Sequence, residues 1–169
     1  MPNETPKANT SSFFELLERD DFLEGICWHY QDFDNNDVIL REGEYSGKVF
    51  LILEGSVRIL GDVPIGDDYH VRPGVNDLGS GDLFGEFSLL DRDVHSATVT
   101  AISPCRLAVI DNQHLLDYLE VHHDLGFQLY REIALSLVRR MRMADKKIFS
   151  LLAWGFKAHG FDKYMKTDI

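Results

Sequence analysis

The residues best suited to ligand chemistry are concentrated in segment 79–101, which reads GSGDLFGEFSLLDRDVHSATVTA. The pattern predicts a strand that ends at Phe84 and Gly85 and a short helix that begins near Glu86. Gly85 has no side chain, so a ligand can approach the backbone closely there. The N–H groups of a first helical turn lack partners within their own helix and attract anions. This segment therefore predicts an anion site.

Side chains around this turn add the groups that a phosphate-bearing ligand requires. Ser96 and Thr98, near the start of the next predicted strand, can donate hydrogen bonds to phosphate oxygens. Glu86 can accept a hydrogen bond from a ligand hydroxyl, or it can cap its own helix. The sequence leaves both roles of Glu86 open.

Other patterns that carry chemistry are weak. His70 lacks a His-x-His partner, and the neighbours His122 and His123 point in different directions from a helix, so a cupin-type metal site has little support. No Ser/His/Asp or Cys/His arrangement is recognisable, and two cysteines, Cys27 and Cys105, are too few for a disulfide framework. We therefore predict no catalytic residue, no metal and no cofactor. The alternatives kept are a cupin-type metalloenzyme and a haem or gas sensor, which metal analysis and colour would reveal.

Short strands dominate the elements that must position this segment. Between residues 38 and 111, apolar runs rich in β-branched residues recur about every ten residues, which predicts a β-sandwich or barrel. We predict a tight hairpin at 54–56 and a longer polar loop around another hairpin at 61–74. A short helix is predicted at 11–19, with Ser11 or Ser12 as N-cap and Glu15 forming a capping box with Ser12. Asp111 is predicted to cap another helix.

A long helix is predicted for residues 124–154, which contain no proline. Its apolar residues follow an unbroken heptad spacing: Phe127, Tyr130, Ala134, Leu137, Met141, Ala144, Ile148 and Leu151. A second row widens the apolar face: Leu125, Leu129, Ile133 and Val138. We expect one row to pack on the sandwich and the other to meet a second copy of the chain, forming a homodimer. The alternative is one broad face packed within a monomer.

Charge is distributed unevenly along the chain. Residues 1–138 hold 9 basic and 25 acidic residues, whereas residues 139–169 hold 8 basic and 3 acidic residues, and the net charge is −11. An acidic body repels nucleic acid. No apolar run reaches the roughly 18 residues of a membrane span, and the polar first 12 residues do not resemble a secretory signal. We expect a cytoplasmic protein that binds neither DNA nor membranes.

Several ordered motifs together resemble the cyclic-nucleotide-binding domain of catabolite-activator-type regulators, protein kinase A regulatory subunits and cyclic-nucleotide-gated channels. The family's phosphate-binding cassette has Phe-Gly-Glu, eight residues, and then Arg, a small residue, Ala and Thr. Here the matching residues are Phe84-Gly85-Glu86, eight residues, and His95-Ser96-Ala97-Thr98. Segments 39–43, 49–57 and 78–85 resemble family strands, and the helix with Arg-Arg-Met-Arg at 139–142 resembles its dimer helix. The resemblance covers about residues 13–152.

The resemblance implies a mainly β fold with helices: an eight-stranded jelly-roll sandwich, or double-stranded β-helix, flanked by short helices and followed by a long dimerisation helix. We divide the chain into a flexible tail (1–12), the cyclic-nucleotide-binding-like domain (13–123), the long helix (124–154) and a C-terminal tail (155–169). The family's transcription factors continue into a winged helix-turn-helix. About fifteen residues after the long helix are too few for that, so we expect no DNA-binding domain.

The resemblance also implies the ligand, cyclic AMP or cyclic GMP, and the residues that bind it. Ligand contacts are assigned to the cassette, with Glu86 on the ribose 2′-hydroxyl: Phe84, Gly85, Glu86, Phe87, His95, Ser96, Ala97 and Thr98. Candidate base contacts come from the sandwich wall and the long helix: Leu78, Leu83, Met143, Ala144 and Asp145.

His95 departs from the family pattern, because ligand-binding members pair an arginine with the cyclic phosphate. A neutral histidine offers one donor instead of a permanent charge and a fork of donors. Losing such a pair costs about 2–5 kcal/mol, roughly 30- to 3,000-fold in affinity. Three interpretations stay open: weak phosphate binding that strengthens at low pH, a different ligand, or a vestigial pocket. Arg92 either folds over the pocket or is a solvated loop charge.

We therefore predict a regulatory sensor that binds a cyclic nucleotide or a related small anion weakly. Its signal would pass through the long helix to an unknown protein effector. The alternative is a ligand-free dimeric interaction module with a degenerate pocket.

Overall fold

The computed structural model describes residues 11–65, 69–71 and 73–160, and of Ile65 and Tyr69 it describes the backbone. The described residues divide into two compact units, with the boundary between residues 129 and 130. Its elements in chain order are α1 (Ser12–Leu17), β1 (Trp28–Phe33), β2 (Val38–Leu40), β3 (Lys48–Glu54), β4 (Ser56–Leu60), β5 (Val63–Ile65), β6 (Tyr69–Val71), β7 (Gly74–Gly79), β8 (Leu83–Phe84), α2 (Phe87–Leu90), β9 (Thr98–Ala101), β10 (Cys105–Asp111), α3 (Asn112–Val121) and α4 (His123–Ala158).

Two four-stranded antiparallel sheets form the sandwich, which confirms the predicted mainly β fold. Their strand orders are β1-β10-β3-β8 and β2-β9-β4-β7. Both sheets contribute to the buried core: Leu40, Phe50, Ile52, Val57, Leu78, Phe84, Val99, Ala101, Cys105, Leu107 and Val109. The hairpin predicted inside 61–74 is the separate β5–β6 pair, although residues 66–68 and 72 of that loop lie outside the described part.

The prediction of a tight hairpin at 54–56 is wrong. β3 and β4 belong to different sheets, so the chain crosses from one layer of the sandwich to the other at Gly55. Gly55 has a φ of +87°, and a Cβ atom there would lie 2.2 Å from the carbonyl oxygen of Pro104. A glycine between two apolar runs suits a hairpin and a layer crossing equally, because both require a positive φ.

β1 was not predicted, and its burial pattern explains why. It is the edge strand of its sheet, and only Trp28 is fully buried, while the next four residues are exposed. Such a strand lacks the alternating apolar pattern on which prediction depends. Instead, Asp32 forms a bidentate ion pair with Arg106 on the neighbouring strand, at 2.8 and 2.9 Å.

Both N-caps lie at predicted residues, but the capping box predicted for the first helix is absent. Asp111 is the N-cap of α3, because its Oδ1 accepts hydrogen bonds from the backbone N–H groups of Gln113 and His114. In α1 the N-cap is Ser11, which accepts from Phe13 N. The predicted capping box with Ser12 is therefore wrong, since Glu15 lies four residues after the true cap instead of three.

α4 begins one residue before the predicted helix and ends four residues after it. Along the first heptad row, Phe127 is 71% exposed, Met141 61% and Leu151 68%, whereas Leu129 and Ile133 of the second row are buried. The predicted tails fall mostly at positions 1–10 and 161–169, outside the described residues. No helix within the described ranges has the combined length and apolarity needed to cross a membrane.

Candidate ligand-binding site

The predicted cassette forms a tight turn between β8 and α2. Gly85 has a φ of +78°, and a Cβ atom there would lie 2.8 Å from the carbonyl oxygen of Lys48 on β3. The turn continues into α2, where Leu89 N donates to Glu86 O and Asp91 N donates to Phe87 O. Glycine is therefore required at this position because the protein's own β3 backbone is so close.

The two aromatic residues of the cassette face different environments. Phe84 is buried in the core, where its ring stacks on Phe50 with centroids 5.0 Å apart. Phe87 is 42% exposed. Phe84 thus holds the cassette to the sandwich from inside, and Phe87 is the aromatic side chain that a ligand or partner can reach.

Glu86 is only 2% exposed, although it carries an ionisable side chain. It occupies the N-cap position of α2, yet its carboxylate makes no capping hydrogen bond to that helix. Of the two roles that the sequence leaves open for Glu86, capping is therefore not the one seen in the structure.

His95 is buried and is tied to the loop between β2 and β3. Its Nε2 lies 2.8 Å from Ser46 Oγ, its backbone N–H donates to Glu44 O, and its carbonyl accepts from Gly43 N. Burial lowers the pKa of His95 below its usual value, and the nearby Glu44 carboxylate opposes this only in part. The imidazole is therefore neutral at physiological pH.

The hydroxyl residues after His95 differ in how freely they can meet a ligand. Ser96 is exposed, whereas Ala97 and Thr98 are half-buried. Thr98 Oγ1 accepts a hydrogen bond from Glu42 N at 3.2 Å, which leaves its own hydrogen available for donation. Two hydroxyl donors therefore lie at the start of β9.

The candidate base contacts lie in two different units of the chain. Leu78 and Leu83 are buried in the sandwich, each 6% exposed. Met143, Ala144 and Asp145 are exposed on α4, in the second unit. Contact between these three residues and a ligand in the cassette stays a prediction.

Sequence reasoning missed a polar cavity of about 210 Å³ beside the cassette. Tyr45, Ser46, Ser88 and Asn112 contribute to its lining, and so does Arg92, which is exposed and has a φ of +58°. Ser46 and Asn112 carry no motif signal. Their proximity to the cassette arises from loop and helix packing, which short-range patterns do not encode.

Within the described residues, no three His, Cys, Asp or Glu side chains cluster as ligands for an ion. Cys105 is buried and Cys27 half-buried, and both are free thiols.

Comparison with known proteins agrees with this geometry. The family model of the cyclic nucleotide-binding domain matches residues 30–122. The CRP-like cAMP-activated global transcriptional regulator of Mycobacterium tuberculosis is 26% identical over 72% of this chain and 50% of its own length. This chain thus spans about half the length of that relative.

Solved structures show the same fold. A cyclic nucleotide-binding domain from Methylobacillus flagellatus has a TM-score of 0.66 at 24% identity, covering 73% of this chain and 67% of its own. The regulatory subunit of a cAMP-independent protein kinase A from Trypanosoma brucei, solved as a triple mutant bound to cAMP, has a TM-score of 0.55 at 26% identity, covering 72% and 41%. With its cassette, its sandwich and this family match, the chain belongs to the cyclic nucleotide-binding domain family.

Proposed function

We propose that this chain is a regulatory sensor module whose cassette binds cyclic AMP or cyclic GMP weakly. One observation carries the proposal: the family's cassette residues occur in order on a strand, glycine turn and short helix, with Glu86 buried at the turn and Ser96 exposed just before β9. A segment that holds both a buried carboxylate and hydroxyl donors suits a ligand that carries both hydroxyls and a phosphate.

Each cassette group has a role in this proposal. Glu86 accepts from the ribose 2′-hydroxyl, while Ser96 and Thr98 donate to the cyclic phosphate. His95 replaces the charged arginine with an imidazole that burial keeps neutral. Because a phosphate favours imidazolium, ligand binding is expected to raise the pKa of His95 and to take up a proton. Affinity should therefore rise as the pH falls.

Two relatives support cyclic AMP as a candidate ligand and show that the response to it differs within the family. The Mycobacterium tuberculosis relative is cAMP-activated. The Trypanosoma brucei relative is cAMP-independent, yet its triple mutant, in which one change introduces an arginine, is bound to cAMP.

The output of the module is proposed to pass through α4 in a homodimer. The first heptad row of α4 is largely exposed, which suits packing against a second copy. A ligand that binds more tightly to one conformation of the protein would increase the population of the α4 position found in that conformation. This shift would change the surface that a protein effector can contact. The proposed role is regulatory, without catalysis or DNA contact.

Isothermal titration calorimetry with cyclic AMP and cyclic GMP, at about pH 6 and pH 7.5, tests the proposal. We expect weak binding that is tighter at the lower pH, and a gain of at least tenfold for cyclic AMP in His95→Arg. His29→Arg is the matched control, because His29 is exposed on the edge strand β1 and the change adds the same charge. Its affinity should equal that of the wild type.

If neither the wild type nor His95→Arg shows measurable binding of cyclic AMP or cyclic GMP, this proposal is overturned. The ligand-free dimeric interaction module would then be favoured. Its specific support is that the imidazole of His95 already has a partner in Ser46.

A further inference from the structure

Behind the cassette, two buried polar side chains connect α2 to the first residue of α3. Ser88 is 1% exposed and Asn112 is 6% exposed. Asn112 Nδ2 donates to Ser88 Oγ at 3.2 Å, and Ser88 Oγ donates to Gly85 O at 2.8 Å. The backbone N–H of Asn112 donates to Gly47 O at 3.0 Å. Asn112 therefore touches the cassette and the loop before β3 while it begins α3.

Elementary hydrogen-bond chemistry fixes the direction of this chain of contacts. The Ser88 hydroxyl has one hydrogen, which goes to Gly85 O, so its oxygen must accept from the amide nitrogen of Asn112. This orientation leaves Asn112 Oδ1 buried, and it accepts no hydrogen bond from any residue that the structure describes. Buried unsatisfied acceptors are rare in native proteins, because their desolvation is not repaid. An apolar residue would avoid that penalty, so the amide indicates a role beyond filling space.

The cavity of about 210 Å³ lies beside this chain of contacts, with Ser46, Gly47, Ser88 and Asn112 in its lining. Side-chain packing does not fix α2 where there is empty space, because the lining atoms lack contacts on that side. On the side of the cavity, the hydrogen bonds of Ser88 and Asn112 therefore contribute to the restraint on α2. The same loop residues also hold His95 through Ser46.

We propose that Asn112 is a positioning residue for the cassette. Through Ser88 it holds the Gly85 carbonyl and the first turn of α2, and through its backbone it fixes the loop that holds His95. A displacement at the start of α3 therefore moves the ligand-binding turn. In the same way, a movement of the turn displaces the start of α3. The consequence for ligand affinity rests on the proposed function, whereas the positioning of the empty cassette does not.

Hydrogen–deuterium exchange on the full chain without ligand tests this role. In Ser88→Ala and in Asn112→Leu, the Leu89 and Asp91 amides should exchange about 3- to 10-fold faster, as expected for the loss of one buried hydrogen bond. The exchange rates of the amides that form hydrogen bonds between β3 and β10 should be unchanged. The double variant should exchange no faster than the quicker single variant, because both changes break one chain of contacts.

Gln113→Leu is the matched control. Gln113 follows Asn112 in α3 and also lines the cavity, but it is exposed and its side chain donates to Asp117 within the same helix at 2.7 Å. A variant that only weakens α3 should therefore leave cassette exchange unchanged. If Gln113→Leu loosens the cassette as much as Asn112→Leu, or if Ser88→Ala leaves it unchanged, the positioning role is overturned. Ser88→Ala is a small change that keeps the test decisive if Asn112→Leu does not fold.

A second arm adds cyclic AMP and separates this role from the proposed function. If cyclic AMP slows no amide of the wild type while both variants still loosen the cassette, the proposed function fails and the positioning role stands. If cyclic AMP binds, Ser88→Ala and Asn112→Leu should bind it about 3- to 10-fold more weakly than Gln113→Leu does. Equal affinity of all three would overturn the effect on ligand binding.

Discussion

At the scale of single residues, His95 already makes hydrogen bonds within the protein in the absence of a ligand. Three hydrogen bonds tie this residue to the loop before β3, and the side chain is 6% exposed. An arginine in its place would bring a longer side chain and a charge that needs a partner. The gain expected in His95→Arg therefore requires that the phosphate compensates for the lost contact with Ser46.

The lowered pKa of His95 predicts how stability depends on pH. Because the folded state holds this imidazole neutral, the unfolded chain binds the proton more readily, with a pKa of about 6.5. The contribution of His95 to stability is therefore complete above about pH 6.5 and declines as the pH falls below that value. Urea unfolding of the wild type and of His95→Gln between pH 5 and 7.5 measures the difference.

The free energy of unfolding should fall more steeply with decreasing pH in the wild type than in His95→Gln. His29→Gln removes an exposed histidine and should keep the steeper wild-type dependence. Parallel curves for the wild type and His95→Gln would show that burial of the imidazole does not affect its protonation.

At the scale of elements, the crossing between β3 and β4 depends on one glycine. Gly55 and Gly25 have similar φ values of +87° and +80°, but a Cβ atom at Gly25 meets nothing within 4 Å, whereas one at Gly55 lies 2.2 Å from Pro104 O. Gly25→Ala should cost about 1 kcal/mol through backbone strain alone. Gly55→Ala should cost about 3 kcal/mol or more, because backbone must move as well.

Urea denaturation of both glycine variants isolates the steric term, since the strain from positive φ is common to the pair. Equal losses of unfolding free energy would mean that the crossing at Gly55 tolerates a side chain. The layer change would then not depend on close contact with the Pro104 carbonyl.

Sequence patterns predicted the elements that depend on local order and missed those that depend on distant partners. Apolar runs located the strands that line the core, and the cassette motif located the turn at Gly85. The same patterns could not show that β3 and β4 lie in different sheets, because pairing is decided by residues far along the chain. For the same reason nothing local marked Ser46 or Asn112, whose partners are 49 and 24 residues away.

At the scale of the whole molecule, the distribution of charge and of apolar surface allows two kinds of self-association. Residues 1–138 carry a balance of −16 and residues 139–169 a balance of +5, so the acidic part of one copy attracts the basic part of another. The first heptad row of α4 offers an apolar alternative, in which Met141 is 61% and Ile148 53% exposed. Salt distinguishes the two, because it screens charges but does not weaken apolar contacts.

We expect the apolar row to dominate. Light scattering on the wild type should give twice the chain mass of 19.3 kDa, at both low salt and about 0.5 M salt. The double variant Met141→Glu/Ile148→Glu should be monomeric, because each helix of the interface would bury two charges without partners. The double variant Arg139→Glu/Lys146→Glu is the matched control, since these exposed residues lie outside the first heptad row of α4. If the dimer dissociates at high salt, or if the changes at Arg139 and Lys146 also give a monomer, the two copies are held together by opposite charges instead.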